Sequence, residues 1–450
     1  MTTTTKLGEL LRPGDPGYDE ARRVWNGTID RCPAMIARCR TTEEVAAAVE
    51  MATSSGLEIA VRAGGHSIPG LSVCEGGLMI DLSAMKGVEV DPAARLARAQ
   101  PGLVWGEYDV ATQAHGLASP GGEISHTGVA GLTLGGGIGW LSRRHGLACD
   151  NLVGATLVLA DGAVVEVDDD RDPELLWGLR GGGGNFGIAT ELRFRVHPRP
   201  PVHAGLLGWP ADRGREVLER FVAVAAEAPR DLSLVVVQAA APPAPFVPEH
   251  LQLQPMVGIA AVWTGELADG PSAVEPLRLA GAAFDTFGTH AYADVQRWFD
   301  DGVPHHRRYH VRSEWLDELD GAAVGALLEG GATMSSPLDQ VLLRRMGGAI
   351  SDVGPDDTAF RFRDTSYLLT IAAGWEQGPD EPHVDWCRET WARMQPWSSG
   401  GAYVNHLASD EGADRVRAAY GARTWDRLVH LKRRTDPRNV FHLNQNIDPS

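Results

Sequence analysis

The chain has 450 residues, of which 43% are hydrophobic and 22% charged, so it can bury a large core and build two or three core-sized units. A formal net charge of -18 without an extended basic patch argues against a nucleic-acid partner. Residues 1–6 begin no apolar secretory segment, and no apolar run has the length of a membrane span. Because the five cysteines are also scattered, we expect a cytoplasmic protein with free thiols and no membrane partner.

The first predicted elements are a helix and two short strands. Thr41 and Glu44 have the spacing of a capping box ahead of an apolar run, and Gly56 stands where that helix should end. Apolar strands are predicted at 57–62 and 78–82. The chain therefore begins as a mixture of helix and strand.

A hairpin, a short helix and a longer strand follow. Asp161-Gly162 is a strong two-residue turn signal between β-rich runs at 155–160 and 163–167. Residues 173–179 predict a short helix that begins with proline. The run 188–196 alternates in the manner of a half-buried strand.

The proline-rich segment HPRPP at 197–201 indicates a domain boundary. Beyond it the glycine density falls and strands alternate with helices, and the tail from Tyr403 differs again. The Ala/Pro-rich stretch 239–247 is predicted to be a surface loop. Predicted strands include 232–237 and 368–372, and predicted helices include 217–228, 414–420 and 425–432.

Residues 61–67, VRAGGHS, are the first candidate for chemistry. Glycines after a strand let backbone N–H groups approach a phosphate closely, and Arg62 could add a charge-assisted contact. An ordinary tight turn explains the same residues, and a single His66 is more often a hydrogen-bonded loop histidine than a reactive one. Taken alone, the segment leaves both interpretations open.

Residues 128–139, GVAGLTLGGGIG, are the second candidate. So few side chains remain there that the backbone itself should be the working surface, which suits close approach to a large planar or phosphorylated ligand. A flexible loop is the alternative, but the apolar Val129, Leu132 and Ile138 between the glycines favour anchoring in a core.

A third glycine pattern is misleading. Gly182, Gly184 and Gly187 satisfy the G-x-G-x-x-G spacing of a Rossmann dinucleotide site. That motif must follow a strand and open a helix, whereas here a predicted helix precedes it and a predicted strand follows. The Rossmann interpretation therefore fails.

Together these motifs resemble the FAD-binding fold of the vanillyl-alcohol oxidase and p-cresol methylhydroxylase (PCMH) superfamily, and most closely its berberine-bridge-enzyme-like bacterial branch. The resemblance covers about residues 30–200 and 402–450. It is carried by RAGGHS (62–67), GGLMIDLS (76–83), TGVAGLTLGGGIGWLSRRHGLACDNL (127–152), LRGGGGNFGIAT (179–190), YVN (403–405) and NQNI (444–447).

The resemblance implies an α+β architecture. A PCMH-type FAD-binding domain of two subdomains should occupy residues 1–200, with its core at about 30–200. An α/β substrate domain, with an antiparallel sheet covered by helices, should occupy 201–401. A berberine-bridge-like segment, 402–450, should return to the FAD domain.

The resemblance also implies FAD bonded through its 8α-methyl to His66. Some relatives carry a second bond from a cysteine before the second glycine segment, but residues 121–128 contain none and Cys149 lies well past that position, so we expect a single bond. Cofactor contacts are implied for Arg62, Ala63, Gly64, Gly65, His66, Ser67, Thr127, Gly128, Gly131, Gly137, Gly139, Gly187, Ile188, Tyr403, Asn405 and Asn444.

Two residues of the tail are candidates for catalysis. Tyr403 matches a tyrosine of the family, and His406 stands where some relatives place a second, catalytic tyrosine; an imidazole is a competent base at neutral pH. Packing beneath the flavin domain is an equal alternative for His406. No metal site is expected, because the adjacent His305 and His306 would face opposite sides of a strand. Further candidate lining residues are His310, Arg345 and Asp364.

The resemblance implies an FAD-dependent oxidase that removes hydride from a C–O–H or C–N–H carbon of a small organic molecule, with O2 reoxidising the flavin to give H2O2. A secondary metabolite is a reasonable substrate, and ring closure is known among relatives. A dehydrogenase with another electron acceptor and a non-catalytic flavoprotein scaffold are the alternatives. Substrate identity and oligomeric state stay open.

Overall fold

The computed structural model describes residues 7–450, so the interpretation of residues 1–6 lies outside the described part. The first elements are β1 (Glu9–Leu11), α1 (Tyr18–Ala21), β2 (Met35–Arg38), α2 (Thr42–Ser55), β3 (Ile59–Arg62) and β4 (Leu78–Asp81). They form a four-stranded sheet in the order β1-β2-β4-β3, in which β2, β4 and β3 are parallel and β1 is antiparallel.

Helix α2 begins and ends where its sequence signals predict. The Thr41 side chain accepts a hydrogen bond from the backbone N–H of Glu44 at 3.3 Å, and Gly56 closes the helix with a left-handed φ of 66°. The apolar positions Val45 and Val49 are buried in the core against the parallel strands. The predicted strands at 57–62 and 78–82 are confirmed as β3 and β4.

The second group contains β5 (Val88–Asp91), β6 (Leu96–Ala99), α3 (Trp105–Gln113), β7 (Leu117–Ala118), α4 (Val129–Leu134), α5 (Ser142–His145), β8 (Leu152–Val158), β9 (Val164–Asp168), α6 (Pro173–Leu179), β10 (Ile188–Arg195) and β11 (His197–Pro198). An antiparallel sheet runs in the order β5-β6-β10-β8-β9, and β11 pairs with β7. The hairpin around Asp161-Gly162 is confirmed as β8 and β9. The glycines after α6 lead into a strand, which confirms that they are no Rossmann motif.

The third group contains β12 (Val202–Pro210), α7 (Gly214–Glu227), β13 (Leu232–Ala240), β14 (Pro255–Trp263), α8 (Gly270–Val274), β15 (Phe284–Asp285), β16 (Gly288–His290), α9 (Tyr292–Val295), β17 (Arg308–Leu316), α10 (Gly321–Ala332), β18 (Gln340–Arg345), β19 (Tyr367–Trp375) and α11 (Glu381–Met394). One antiparallel sheet runs β15-β12-β14-β13-β18-β19-β17, with β16 also paired to β12. Apolar residues of α7, α10 and α11 pack on one face of it. The predicted sheet covered by helices is therefore present, whereas the exact domain limits stay a prediction.

The tail contains the helical segment α12 (Ala413–Thr435), in which the two helices predicted at 414–420 and 425–432 lie on either side of a break. Gly421 interrupts its helical geometry with a φ of 70° and a ψ of 161°. A β-carbon at Gly421 would stand 2.8 Å from the Arg361 side chain, so both the backbone angle and the space favour glycine. The two predicted helices thus join across a kink.

A buried ion pair fixes the end of α12 to the last residues of the chain. The Lys432 ammonium lies 2.7 Å from the Asp436 carboxylate and donates to the backbone oxygens of Asn185 and Phe441. Asp436 also accepts from the backbone N–H of Phe441. Burial lowers the pKa of Lys432, opposed by its partner Asp436. This network sets the path that carries Asn444 back to the glycine loops.

Replacing Lys432 by methionine is expected to lower the free energy of unfolding by about 3–5 kcal/mol, because the Asp436 carboxylate stays buried without its cation. Chemical denaturation of the FAD-loaded protein measures this. Arg434→Met is the matched control: its 2.8 Å pair with Asp172 is partly exposed, so its loss should cost at most about 1 kcal/mol. Equal losses in both variants would contradict the assignment.

Candidate active site

A cavity of about 1030 Å³ lies between the open face of the eight-stranded sheet and the glycine-rich loops. Distant parts of the chain form its walls, including strands from β12 to β19 and the tail. Most of the predicted cofactor-contacting residues line it. These are Ala63, Gly64, Gly65, His66, Ser67, Thr127, Gly128, Gly131, Gly187, Ile188, Tyr403, Asn405 and Asn444.

The two glycine segments touch through their backbones. A β-carbon at Gly64 would lie 2.4 Å from the Cα of Gly128, so neither position tolerates a side chain. Gly65, with a φ of 67°, turns the chain toward His66. At Gly131 a β-carbon would meet nothing within 4 Å, because this position faces the cavity. The loops therefore form a backbone-lined surface that fits a large planar, phosphorylated cofactor.

Three predicted cofactor contacts do not line the cavity. The Arg62 guanidinium donates to the backbone oxygen of Ala21 at 3.0 Å and faces a separate, smaller cleft. The N–H of Gly137 donates to the Tyr403 hydroxyl, and a β-carbon at Gly139 would lie 2.5 Å from a neighbouring backbone oxygen. These residues support the lining from behind. The sequence could not separate them from the lining residues, because glycines that pack against backbone and glycines that face a ligand share one sequence signature.

His66 projects from the first loop into a cluster of rings. Its ring stacks on Trp25 with centroids 4.4 Å apart, and Trp25 stacks in turn on Tyr309. The Nε2 atom of His66 lies 3.0 Å from Nδ1 of His126, so one ring donates a hydrogen bond to the other. Burial, reinforced by the nearby His126 and His305, lowers the pKa of His66 well below its usual value. The imidazole is therefore neutral, and Nδ1 is left free of that bond.

The two catalytic candidates of the tail have different surroundings. The Tyr403 hydroxyl accepts hydrogen bonds from the Gly137 N–H and the Asn405 side chain, both at 3.0 Å, and burial raises its pKa to about 12. The His406 ring faces the cavity, where burial and the positive charge of Arg344 lower its pKa to about 3. Tyr403 thus stays protonated, and His406 is a neutral hydrogen-bond acceptor and a weaker base than the sequence predicts.

An ion pair beside His406 was not predicted from the sequence. Arg344 Nε lies 2.7 Å from the Glu123 carboxylate, and its Nη1 donates to the Thr370 hydroxyl at 2.9 Å. The same hydroxyl lies 3.4 Å from Nδ1 of His406. All four residues line the cavity, so they form a polar cluster in an otherwise largely apolar wall.

The three further lining residues predicted in the middle of the chain lie elsewhere. Because side chains alternate along β18, Arg344 faces the cavity while Arg345 points to the helical face, where its Nε donates to the backbone oxygen of Ala225. His310 faces Asp410 at 3.7 Å, and Asp364 is exposed. The period of a strand allows only one of two neighbouring arginines to line the cavity, but it does not say which.

Among residues 7–450, no group of three or more His, Cys, Asp or Glu side chains is arranged to hold a metal ion. In the same range no helix has both the length and the apolar character needed to cross a bilayer.

Comparison with known proteins gives matches along the whole chain. The family model described as FAD binding domain matches residues 33–168, and the one described as berberine and berberine like matches residues 402–448. An FAD-linked oxidoreductase of Dictyostelium discoideum is 30% identical over 449 residues, which cover 98% of this chain and 95% of that protein. (R)-6-hydroxynicotine oxidase of Paenarthrobacter nicotinovorans is 30% identical over 459 residues, with 98% and 97% covered. The crystal structure of 6-hydroxy-D-nicotine oxidase from Arthrobacter nicotinovorans has a TM-score of 0.90 at 28% identity, with 100% and 99% covered.

The fold, the cavity and these matches define an FAD-linked oxidoreductase. The predicted α+β fold, the FAD cofactor and the enzymatic nature of the protein are thereby confirmed. The chain belongs to the berberine-bridge-enzyme-like family of FAD-linked oxidoreductases.

Proposed function

We propose that the chain is an oxidase that removes hydride from a C–O–H or C–N–H carbon of a small organic molecule. The observation that carries this proposal is that the polar cluster of His406, Thr370, Arg344 and Glu123 lines the same cavity as the glycine loops and His66. Bound FAD supplies the hydride acceptor and passes the electrons to O2, which gives H2O2.

The polar cluster positions the reacting end of the substrate. In the tautomer in which Nδ1 of His406 donates to the Thr370 hydroxyl, Nε2 is free to accept the hydrogen bond of the substrate O–H or N–H and to take the proton as the C–H hydride leaves. Arg344 keeps two donors occupied by Glu123 and Thr370, which fixes its guanidinium at the cavity wall. There it stabilises negative charge on the substrate oxygen or nitrogen.

His66 would hold the cofactor by a single covalent bond through Nδ1. A neutral imidazole is the nucleophilic form, and the hydrogen bond to His126 occupies the other ring nitrogen. The stretch 121–128 offers no thiol, and Cys149 is fully buried with its pKa raised well above the usual value by burial. A second bond from a cysteine is therefore not available.

Anaerobic mixing of the FAD-loaded protein with a panel of benzylic alcohols, cyclic amines and oligosaccharides tests the reaction. A substrate should bleach the yellow flavin absorbance, and admission of air should restore it within seconds with formation of H2O2. A reduced flavin that persists for minutes in air would replace the oxidase with a dehydrogenase. A protein that purifies colourless, or a flavin that the whole panel leaves unbleached, would favour the non-catalytic scaffold.

A further inference from the structure

The cavity extends away from the polar cluster along strands β12, β13 and β14. Every cavity-lining residue that these strands and the connecting segment 241–254 contribute is apolar or glycine. This part of the cavity, which we call the apolar arm, runs from the reacting end toward the surface. Its wall includes Leu206, Val237, Ala239, Met256, Gly258 and Ala260.

Small residues keep the apolar arm open. At Gly258 the only atom within 4 Å of an added β-carbon is a backbone oxygen of Leu207, at 3.0 Å. A β-carbon at Gly208 would collide with Phe284 at 2.3 Å, so this glycine lets Phe284 lie flat on the sheet as part of the wall. The strand surface therefore forms a smooth apolar floor beside the polar cluster.

The outer end of the arm carries two exposed apolar side chains. Leu253 is 60% exposed and Phe246 is 41% exposed, yet both line the cavity. Phe246 packs edge-on against Phe284 with centroids 5.2 Å apart. Leu253 has a left-handed φ of 60°, which is costly for a residue other than glycine, and its N–H is tied to the backbone oxygen of Ala241 at 2.9 Å. The predicted surface loop 239–247, whose first two residues belong to β13, and the residues that follow it up to Leu253 thus present an apolar rim continuous with the active-site cavity.

We infer that the substrate is amphipathic: its polar end reacts beside His406 and Arg344, and a long alkyl, isoprenoid or fused carbocyclic portion lies in the apolar arm. The inference about the reacting end of the substrate depends on the proposed function, whereas the inference about its apolar tail depends only on the apolar arm. The wall formed by β12, β13 and β14 offers no side-chain partner for a buried hydroxyl group, whereas Gln340 lines the cavity on the neighbouring strand β18. The arm therefore favours an apolar tail over an oligosaccharide.

Binding of straight-chain primary amides, from hexanamide to tetradecanamide, to the FAD-loaded protein tests this inference by the change in flavin absorbance. The neutral amide group lies beside the polar cluster, and each added methylene should tighten binding about fourfold until the chain passes the rim. An affinity that is independent of chain length would overturn the inference. Because the assay measures binding, a failure of the oxidase proposal would leave this dependence intact.

The rim is tested with the double variant Phe246→Asp/Leu253→Asp. The shortest amides should bind as they do to the wild type, whereas the longest should lose at least tenfold. Val164→Asp is the matched control, since Val164 is 50% exposed on β9 and lies outside the cavity lining. The inference would be overturned if affinity depended on chain length in the double variant as it does in the wild type. An altered oligomeric state in the same variant would indicate that the rim contacts another copy of the chain instead.

Discussion

Replacing His66 by alanine is expected to convert a protein whose yellow colour stays with the acid-denatured pellet into one that releases all of its FAD to the supernatant. The reason is that no other nucleophile is suitably placed: residues 121–126 contain no cysteine, Cys149 is buried, and the neighbouring His126 and His305 lie outside the cavity lining. Native His66→Ala should still bind FAD, because the backbone cradle at Gly64 and Gly131 is unchanged. Its flavin should also be a weaker oxidant, as loss of the bond removes one of the influences that tune the cofactor.

Two neighbouring histidines provide the controls for this experiment. His126→Ala keeps the nucleophile but removes the partner of its Nε2, so covalent incorporation should become slower without being abolished. His305→Ala removes an edge-on ring contact with His66 at 5.9 Å and a tilted contact with His126 at 4.7 Å, but no hydrogen bond to His66, so it should leave the covalent fraction as in the wild type. Colour in the supernatant of the denatured wild type, or in the pellet of His66→Ala, would refute the assignment of His66.

Local signals were sufficient for much of the fold. The Thr41 cap and the Asp161-Gly162 turn act between residues that are near neighbours in sequence, so their patterns predict α2 and the β8–β9 hairpin directly. The break at Gly421 separates the two helices predicted at 414–420 and 425–432, but the packing of this glycine against the distant Arg361 side chain was not predictable. Helix termini and hairpins are thus predictable where tertiary contacts are not.

The site was predictable on its cofactor side and, on the substrate side, only at His406. Thirteen of the sixteen predicted cofactor contacts line the cavity, and continuous motifs made them recognisable. Arg62, Gly137 and Gly139 belong to the same motifs but lie behind the cavity wall. The Glu123–Arg344 pair joins residues 221 positions apart, and the local sequence around either residue does not indicate the ion pair. Substrate-side residues are brought together by the eight-stranded sheet, so only its register reveals them.

Replacing His406 by phenylalanine is expected to slow flavin reduction by the substrate roughly a hundredfold to ten-thousandfold, the usual contribution of a positioned acid or base. Phenylalanine keeps the edge-on contact with Tyr403, whose ring centroid lies 4.8 Å away, so thermal stability and covalent FAD should be unchanged. Stopped-flow reduction with a substrate found in the panel measures the effect. If His406 only packs beneath the flavin domain, the variant will be reduced at close to the wild-type rate.

The pH dependence separates a proton acceptor from a packing residue. Burial first, and the charge of Arg344 second, lower the pKa of His406 to about 3, so its imidazole is neutral and flavin reduction should not vary with its titration from about pH 5 to about pH 9. Arg344→Met/Glu123→Gln removes the like charge without leaving a buried, unpaired carboxylate. The pKa of His406 should then rise, although burial keeps it below its usual value, and the loss of rate on acidification should begin at a higher pH. If His406 only packs, the rate should fall at the same acidic pH in the wild type and in the double variant. Adding His406→Phe to the double variant would then leave that fall in rate unchanged.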